Sequence, residues 1–129
     1  MLKIYQQTIV TPISFEGIGL HSGKTSKITI FPQEEDHGIK FKRIDLENNN
    51  IVIANYENVS SAKLCTTLEN EGGTKVSTVE HLLAALYLAE IDNVLIEIDN
   101  EEVPIMDGSA KEFLTILENA EIRVLSKKR

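Results

Sequence analysis

The sequence contains no tryptophan and a single cysteine, Cys65, and aromatic residues make up only 5% of its 129 positions. With one cysteine the chain can form neither an intramolecular disulfide nor a zinc site built from several thiolates. A lone thiol is typical of a reducing compartment, so we expect a cytoplasmic protein. Because aromatic side chains are scarce, isoleucine, leucine and valine must supply most of the core.

Basic residues are too few to form a nucleic-acid-binding face. The 13 Lys and Arg residues are outnumbered by 20 Asp and Glu residues, which gives a net charge of −7. General binding to a phosphate backbone needs a basic surface, so we predict no nucleic-acid partner. No run reaches the roughly 18 apolar residues that a membrane-spanning helix needs. A chain that is 42% hydrophobic is still long enough for one domain with its own core.

Alternation of polar and apolar residues in the first half of the chain predicts strands. The segments 27–31 and 39–44 both alternate and flank the turn sequence Asp36-His37-Gly38, so we predict a hairpin across residues 27–44. Further strands are predicted at 4–13, 51–54, 62–68, 93–98 and 121–129.

Two helices are predicted in the second half. The first follows Ser77-Thr78-Val79-Glu80, which fits a capping box with Ser77 at the N-cap, and extends to about Glu90. The second spans residues 110–120, with Ser109 as its cap. Strands gather first and are followed by helix, strand and helix, which argues against regular β-α-β alternation. We therefore predict an α+β fold, a two-layer sandwich in which a mainly antiparallel sheet packs on two helices.

Glu80 and His81, at the start of the first predicted helix, are the first candidates for chemistry. A histidine can ligate zinc through a ring nitrogen, and a neighbouring carboxylate can take a proton from a water. The same pair can also be structural, with Glu80 completing the capping box and His81 partly exposed. The chain has three histidines, His21, His37 and His81, and no HExxH motif, so its own histidines do not make a convincing zinc site.

The other candidates are weak when they are taken one at a time. The glycine-rich segment 15–23 can bring backbone N–H groups close to an anion, but no helix follows it, so a tight connection between strands explains it as well. Cys65 has no base beside it in the sequence, and a lone cysteine is most often a small buried hydrophobic residue. The segment 107–109 is typical of a turn that leads into a helix.

Together these segments form an ordered set. They are GIGLHSGK (17–24), LCTTL (64–68), VSTVEHLLAAL (76–86), IDNVLIEI (91–98) and EVPIMDGSA (102–110). In this order and spacing they closely resemble the amino-terminal half of the UDP-3-O-acyl-N-acetylglucosamine deacetylases, the zinc enzymes of lipid A biosynthesis in Gram-negative bacteria. The resemblance covers nearly the whole chain. It implies an amino-terminal domain over residues 1–129, with a small inserted sheet at about 46–63.

The resemblance also implies a role for each candidate residue. In this family a zinc-activated water attacks the amide carbonyl of the N-acetyl group on a UDP-linked, acylated sugar. His81 then corresponds to one zinc ligand and Glu80 to the general base, which replaces the structural interpretation of the pair. His21 corresponds to a histidine on the UDP side of the substrate. Leu64 and Cys65 correspond to the edge of the site, near the acyl chain and the metal.

One consequence concerns the orientation of the Glu80 side chain. A carboxylate that folds back to cap its own helix does not point at a water. We therefore expect Glu80 to turn toward the site and leave Ser77 to cap the helix alone. The positive end of the helix dipole would there favour the negative charge of an oxyanion intermediate.

The family's other catalytic groups belong to a second domain of similar fold. They are two further zinc ligands, in an H-K-x-x-D pattern, and a histidine and a threonine that stabilise the tetrahedral intermediate. Nothing in this sequence resembles them, so we expect no deacetylase activity from the chain alone. The expected partner is a second domain, or a complementary chain if this is one half of a split enzyme. The alternative is a non-catalytic binding module that kept the domain and lost the chemistry.

Overall fold

The computed structural model describes residues 4–62 and 65–129. The two α-helices in these ranges are α1 (Glu80–Leu88) and α2 (Lys111–Glu118), and a short 3-10 helix spans Tyr56–Asn58. The strands are β1 (Tyr5–Ile9), β2 (Ile13–Ile18), β3 (Thr25–Pro32), β4 (Ile39–Arg43), β5 (Ile51–Ile53), β6 (Val59–Ser61), β7 (Thr67–Glu69), β8 (Lys75–Ser77), β9 (Val94–Ile98) and β10 (Ile122–Lys128).

The main sheet has five strands in the order β2-β3-β9-β4-β5. β9 lies between β3 and β4, antiparallel to β3 and parallel to β4. The hairpin predicted across residues 27–44 is therefore wrong, because a strand from much later in the chain separates its two arms. The physical reason is burial. Val94, Ile96 and Ile98 of β9 are completely buried, and a strand with such a face gains most from a neighbour on each side.

Residues of this sheet and of both helices belong to a single hydrophobic core. Alternate residues of β3 are fully buried, as are those of β9, and the Phe113 ring of α2 contacts the Phe15 ring of β2 with centroids 5.6 Å apart. The helices contribute Leu82, Ala85, Leu86, Phe113 and Leu117. Between the described strands, every pairing except β4–β9 is antiparallel. The predicted α+β class is confirmed.

A second, three-stranded sheet is formed by β6, β7 and β8. An isolated parallel bridge joins Ser77, at the end of β8, to Glu102. The inserted sheet expected at 46–63 differs from this arrangement in its bounds. β5 belongs to the main sheet, because its residues pair with β4, and the small sheet extends from residue 59 to residue 77.

The two ends of the described chain form a separate antiparallel ribbon of β1 and β10. The predicted strand at 121–129 is thus present as β10. The ribbon is fixed to the start of β9, because the Gln7 N–H donates to Asp92 Oδ2 at 2.8 Å and the Thr8 hydroxyl to the Asn93 carbonyl at 2.5 Å. Of the helices in the described part of the chain, none has the length and apolar character needed to cross a membrane.

Candidate functional site

A cleft of about 520 Å³ opens between the β2–β3 connection and the small sheet. Two of the predicted site residues, His21 and Cys65, are brought together there although they are far apart in the sequence. Within residues 4–62 and 65–129, the residues that line it are His21, Ser22, Ser61, Cys65, Ser77, Glu101 and Glu102. The cleft has an exposed imidazole, that of His21, at one side and the half-buried thiol of Cys65 at the other.

The β2–β3 connection is a tight turn that carries His21. The Gly19 N–H donates to the Lys24 carbonyl at 2.9 Å, and the Gly23 N–H donates to the Gly19 carbonyl at 3.0 Å. Gly23 has φ of 69°, in the left-handed region that favours glycine. The glycines of this segment thus serve a strand connection, which is one of the two interpretations that the sequence allowed.

Glu102 lies against this turn and is only 3% exposed. Its carboxylate accepts hydrogen bonds from the backbone N–H of His21, 3.1 Å from each oxygen, and of Ser22 at 2.8 Å. The Thr78 hydroxyl donates a third, at 2.6 Å. Gly19 permits this approach, because a Cβ at that position would overlap the carboxylate. One buried side chain thereby joins the His21 turn to the segment that leads into α1.

These hydrogen bonds stabilise the charged form of Glu102. Burial raises the pKa of its carboxyl group, but the hydrogen bonds from Thr78, Ser22 and His21 lower it by more. The net pKa lies below the ordinary value of 4.5, so the group is an anion at neutral pH. Within residues 4–62 and 65–129, no Lys, Arg or His side chain forms a salt bridge with it.

Helix α1 begins at Glu80, later than the sequence predicted. Its N-cap residue is Val79, which provides no side-chain hydrogen bond to the helix. Ser77 is instead the last residue of β8, where it pairs with Thr67 and accepts a hydrogen bond from the Thr67 hydroxyl at 3.2 Å. The predicted capping box is wrong, and so is the expectation that Ser77 caps the helix alone. Strand pairing holds the backbone of Ser77 in the sheet, where it cannot serve as an N-cap.

The Glu80 side chain is held by a neighbouring segment. Its Oε1 accepts a hydrogen bond from the Thr66 N–H at 3.3 Å, and the Val79 N–H donates to the Thr66 carbonyl at the same distance. The carboxylate therefore lies beside the residue that follows Cys65. His81, the next residue of α1, is half-buried. Neither Glu80 nor His81 is among the described residues that line the cleft.

The metal-binding capacity of this arrangement follows from its donors. His81 offers an imidazole and Glu80 a carboxylate, and zinc accepts both types of donor. A catalytic zinc site needs three protein ligands, however, and no group of three or more His, Cys, Asp and Glu side chains in the described residues is arranged to hold a metal ion. These residues can contribute to a zinc site but do not complete one.

Leu64, which the resemblance places at the edge of the site, lies outside the described residues. Glu102 has no role in the sequence-based prediction, although it opens the segment 102–110. Its exposed neighbour Glu101 has the same side chain, and nothing in the sequence distinguishes the buried carboxylate from the exposed one.

Comparison with known proteins identifies the family. The model of the UDP-3-O-acyl N-acetylglycosamine deacetylase (LpxC) family matches residues 6–129. The chain is 46% identical over 126 residues to the UDP-3-O-acyl-N-acetylglucosamine deacetylase of Citrifermentans bemidjiense, a match that covers 98% of this chain and 41% of that protein. The enzymes of the same name from Geotalea uraniireducens and Wigglesworthia glossinidia brevipalpis are 46% and 44% identical, over 97% and 91% of this chain and 40% and 39% of their own lengths.

The extent of these matches is as informative as their identity. The chain spans about two fifths of the length of the curated relatives that it matches. The family match, in contrast, extends over nearly every residue of the chain, including the cleft and the start of α1. The chain belongs to the UDP-3-O-acyl-N-acetylglucosamine deacetylase family.

Proposed function

We propose that this chain forms part of a zinc-dependent enzyme that hydrolyses the N-acetyl group of UDP-3-O-acyl-N-acetylglucosamine in lipid A biosynthesis. The observation that carries the proposal is the adjacent pair Glu80 and His81 at the start of α1, in a chain of this family. The cleft with His21 and Cys65 supports it, as does the activity after which the relatives are named. The single cysteine supports a cytoplasmic location.

In the proposed reaction, a water adds to the amide carbonyl carbon, the nitrogen takes up a proton as the C–N bond breaks, and acetate and the free amine are released. Glu80 takes the proton of the attacking water as general base. Its Oε1 is held by the Thr66 N–H, and its Oε2 is proposed to accept that proton. Its place in the first turn of α1 favours negative charge there, both on the carboxylate and on the oxyanion that follows.

His81 is proposed as one zinc ligand of the complete site, through a neutral ring nitrogen. When bound, zinc would polarise the carbonyl and lower the pKa of a nearby water. The other ligands must come from outside the described residues, in a second domain or a complementary chain. His21 is proposed to contact the UDP side of the substrate, with Leu64 and Cys65 at the edge near the acyl chain. Cys65 then lines the site and is not a nucleophile.

The proposed fold is a two-layer arrangement, with α1 and α2 covering one face of the main sheet. The alternating burial of β3 and β9 supports it, because only one face of each strand is fully buried. The buried residues of both helices belong to the same core. This arrangement leaves the start of α1 at the edge of the layer, beside the small sheet that carries Thr67.

The test uses a chimera in which this chain replaces the 126 matched residues of the Citrifermentans bemidjiense deacetylase. We expect deacetylation by the zinc-loaded chimera and none by the 129-residue chain alone. Glu80→Gln should lower kcat by about 10²–10⁴-fold without changing the zinc content. His81→Ala should lower the zinc content itself.

Glu112→Gln is the matched control, because Glu112 is the acidic residue in the first turn of the other helix, α2. It should leave kcat and zinc content unchanged. Turnover by the isolated chain would refute the need for a second domain. A folded, zinc-loaded chimera without turnover, or a Glu80→Gln chimera with full kcat, would refute the proposed function.

A further inference from the structure

Glu102 connects two parts of the molecule that the proposed function uses separately. On one side its carboxylate holds the backbone N–H groups of His21 and Ser22. On the other side it accepts from the hydroxyl of Thr78, two residues before Glu80. No other hydrogen-bonded side chain among the described residues joins these two segments directly.

Burying the Glu102 carboxylate to fix a turn costs free energy of desolvation. Its charge loses hydration, and here the compensation comes from neutral donors, since the described residues give it no salt bridge. Thr78 adds a second cost, because this β-branched residue has φ of 60°, in the left-handed region that such residues avoid. Backbone strain at Thr78 and a buried charge at Glu102, which are hydrogen-bonded to each other, indicate that the geometry of this contact matters for function.

We propose that Glu102 is a positioning residue, which fixes the His21–Ser22 turn at the wall of the cleft so that the His21 imidazole meets the substrate in one place. The inference rests on the proposed function for its substrate. Glu102 itself acts through the backbone of the turn and takes no part in the chemistry. The hydrogen bond from the Thr78 hydroxyl to Glu102 connects this turn to the segment that leads into α1, where Glu80 lies.

The first measurement needs no substrate and uses the 129-residue chain. In Glu102→Gln only one oxygen remains to accept hydrogen bonds, so the backbone amides and the Thr78 hydroxyl can no longer all be satisfied as they are now. We expect the amide hydrogens of His21 and Ser22 to exchange about tenfold faster. The amide of Ile96, in the core, should change no more than in the control Glu112→Gln.

A second variant guards against a protein that fails to fold. Gly19→Ala leaves Glu102 in place but introduces a methyl group that overlaps its carboxylate and lies 2.6 Å from the Ser22 hydroxyl. It should accelerate exchange at His21 and Ser22 in the same way. Unchanged exchange at both amides in either folded variant would overturn the inference.

The second measurement separates positioning from mere support of the fold. In the zinc-loaded chimera, Glu102→Gln should raise KM about tenfold and leave kcat within about twofold, because the turn contributes to binding and not to proton transfer. In a His21→Ala background the same substitution should have no further effect on KM. Such non-additivity is expected when one residue acts through the other.

Equal effects of Glu102→Gln on KM in both backgrounds would show a role that does not pass through His21, and would overturn the inference. If the unmutated chimera shows no turnover, the proposed function fails instead. The exchange experiment still decides whether Glu102 holds the turn in that case, since it requires neither zinc nor substrate.

Discussion

The central position of β9 can be tested through one side chain, Ile96. It pairs with Ile30 of β3 on one side and with Phe41 of β4 on the other. All three residues are 0% exposed. A cavity at Ile96 would be bounded on both sides by hydrogen-bonded strands, which leave little room for the surroundings to collapse.

The expected cost follows from the atoms removed. Ile96→Ala deletes three carbon atoms, and at about 0.8 kcal/mol for each the lost transfer free energy is roughly 2.4 kcal/mol. The cavity adds to this value when neighbours cannot relax, and measured Ile→Ala substitutions in cores cost about 2–5 kcal/mol. We therefore expect the free energy of unfolding to fall by about 3–5 kcal/mol in Ile96→Ala. Ile96→Val, which removes one carbon, should cost about 1 kcal/mol.

The matched control is Ile53→Ala on the edge strand β5, where the same side chain is 44% exposed. Its cost should be below about 1 kcal/mol. Urea unfolding followed by far-UV circular dichroism measures all three variants, since the chain has no tryptophan to serve as a fluorescent probe. Equal losses for Ile96→Ala and Ile53→Ala, at unchanged m, would contradict the placement of β9 at the centre of the sheet.

Two further predictions concern the turn at the cleft. Because the folded-state pKa of Glu102 lies below its ordinary value of 4.5, its contribution to stability is present above that pH and is lost as pH falls through the folded-state pKa. Urea unfolding between pH 7 and pH 3 should thus show a smaller acid loss in Glu102→Gln than in Glu112→Gln, and equal losses would contradict the lowered pKa. Gly23→Ala should cost about 1–2 kcal/mol, because a side chain at φ of 69° is strained although nothing lies within 4 Å of the added methyl group. Gly23→Asn should cost less, and equal costs would argue against backbone strain as the cause.

The strands illustrate what sequence patterns can predict. Alternation in 27–31 and 39–44 correctly indicates β3 and β4, because a half-buried strand must present apolar residues every second position. The same alternation carries no information on partners. The turn sequence at Asp36–Gly38 suggested that the two strands pair, yet the Gly38 carbonyl accepts the Val94 N–H as β9 enters between them. Pairing is decided by which apolar faces complete the core, and that depends on residues far along the chain.

At the start of α1, tertiary contacts prevent the structure that the local sequence pattern predicts. Ser77 and Glu80 have the spacing of a capping box, and in an isolated peptide that spacing would favour a helix that begins at Thr78. In the protein Ser77 pairs with Thr67 in the small sheet, and the chain turns sharply at Thr78. Because Ser77 is part of this sheet, it does not cap the helix. The Glu80 carboxylate accepts a hydrogen bond from the Thr66 N–H of a neighbouring segment.

The candidate site likewise contains residues that local motifs predict and one residue whose role depends on contacts across the fold. Glu80, His81, His21 and Cys65 are predicted from the ordered motifs, because each motif lies within a short continuous stretch. Glu102 was missed because its role arises from contacts across the fold, with a turn some eighty residues earlier and with Thr78. An exposed Glu101 and a buried Glu102 have the same side chain in the sequence and differ only in what the fold places around them. If the double-mutant cycle with His21 is non-additive, the residue that holds this turn at the cleft will be the one that sequence patterns could not identify.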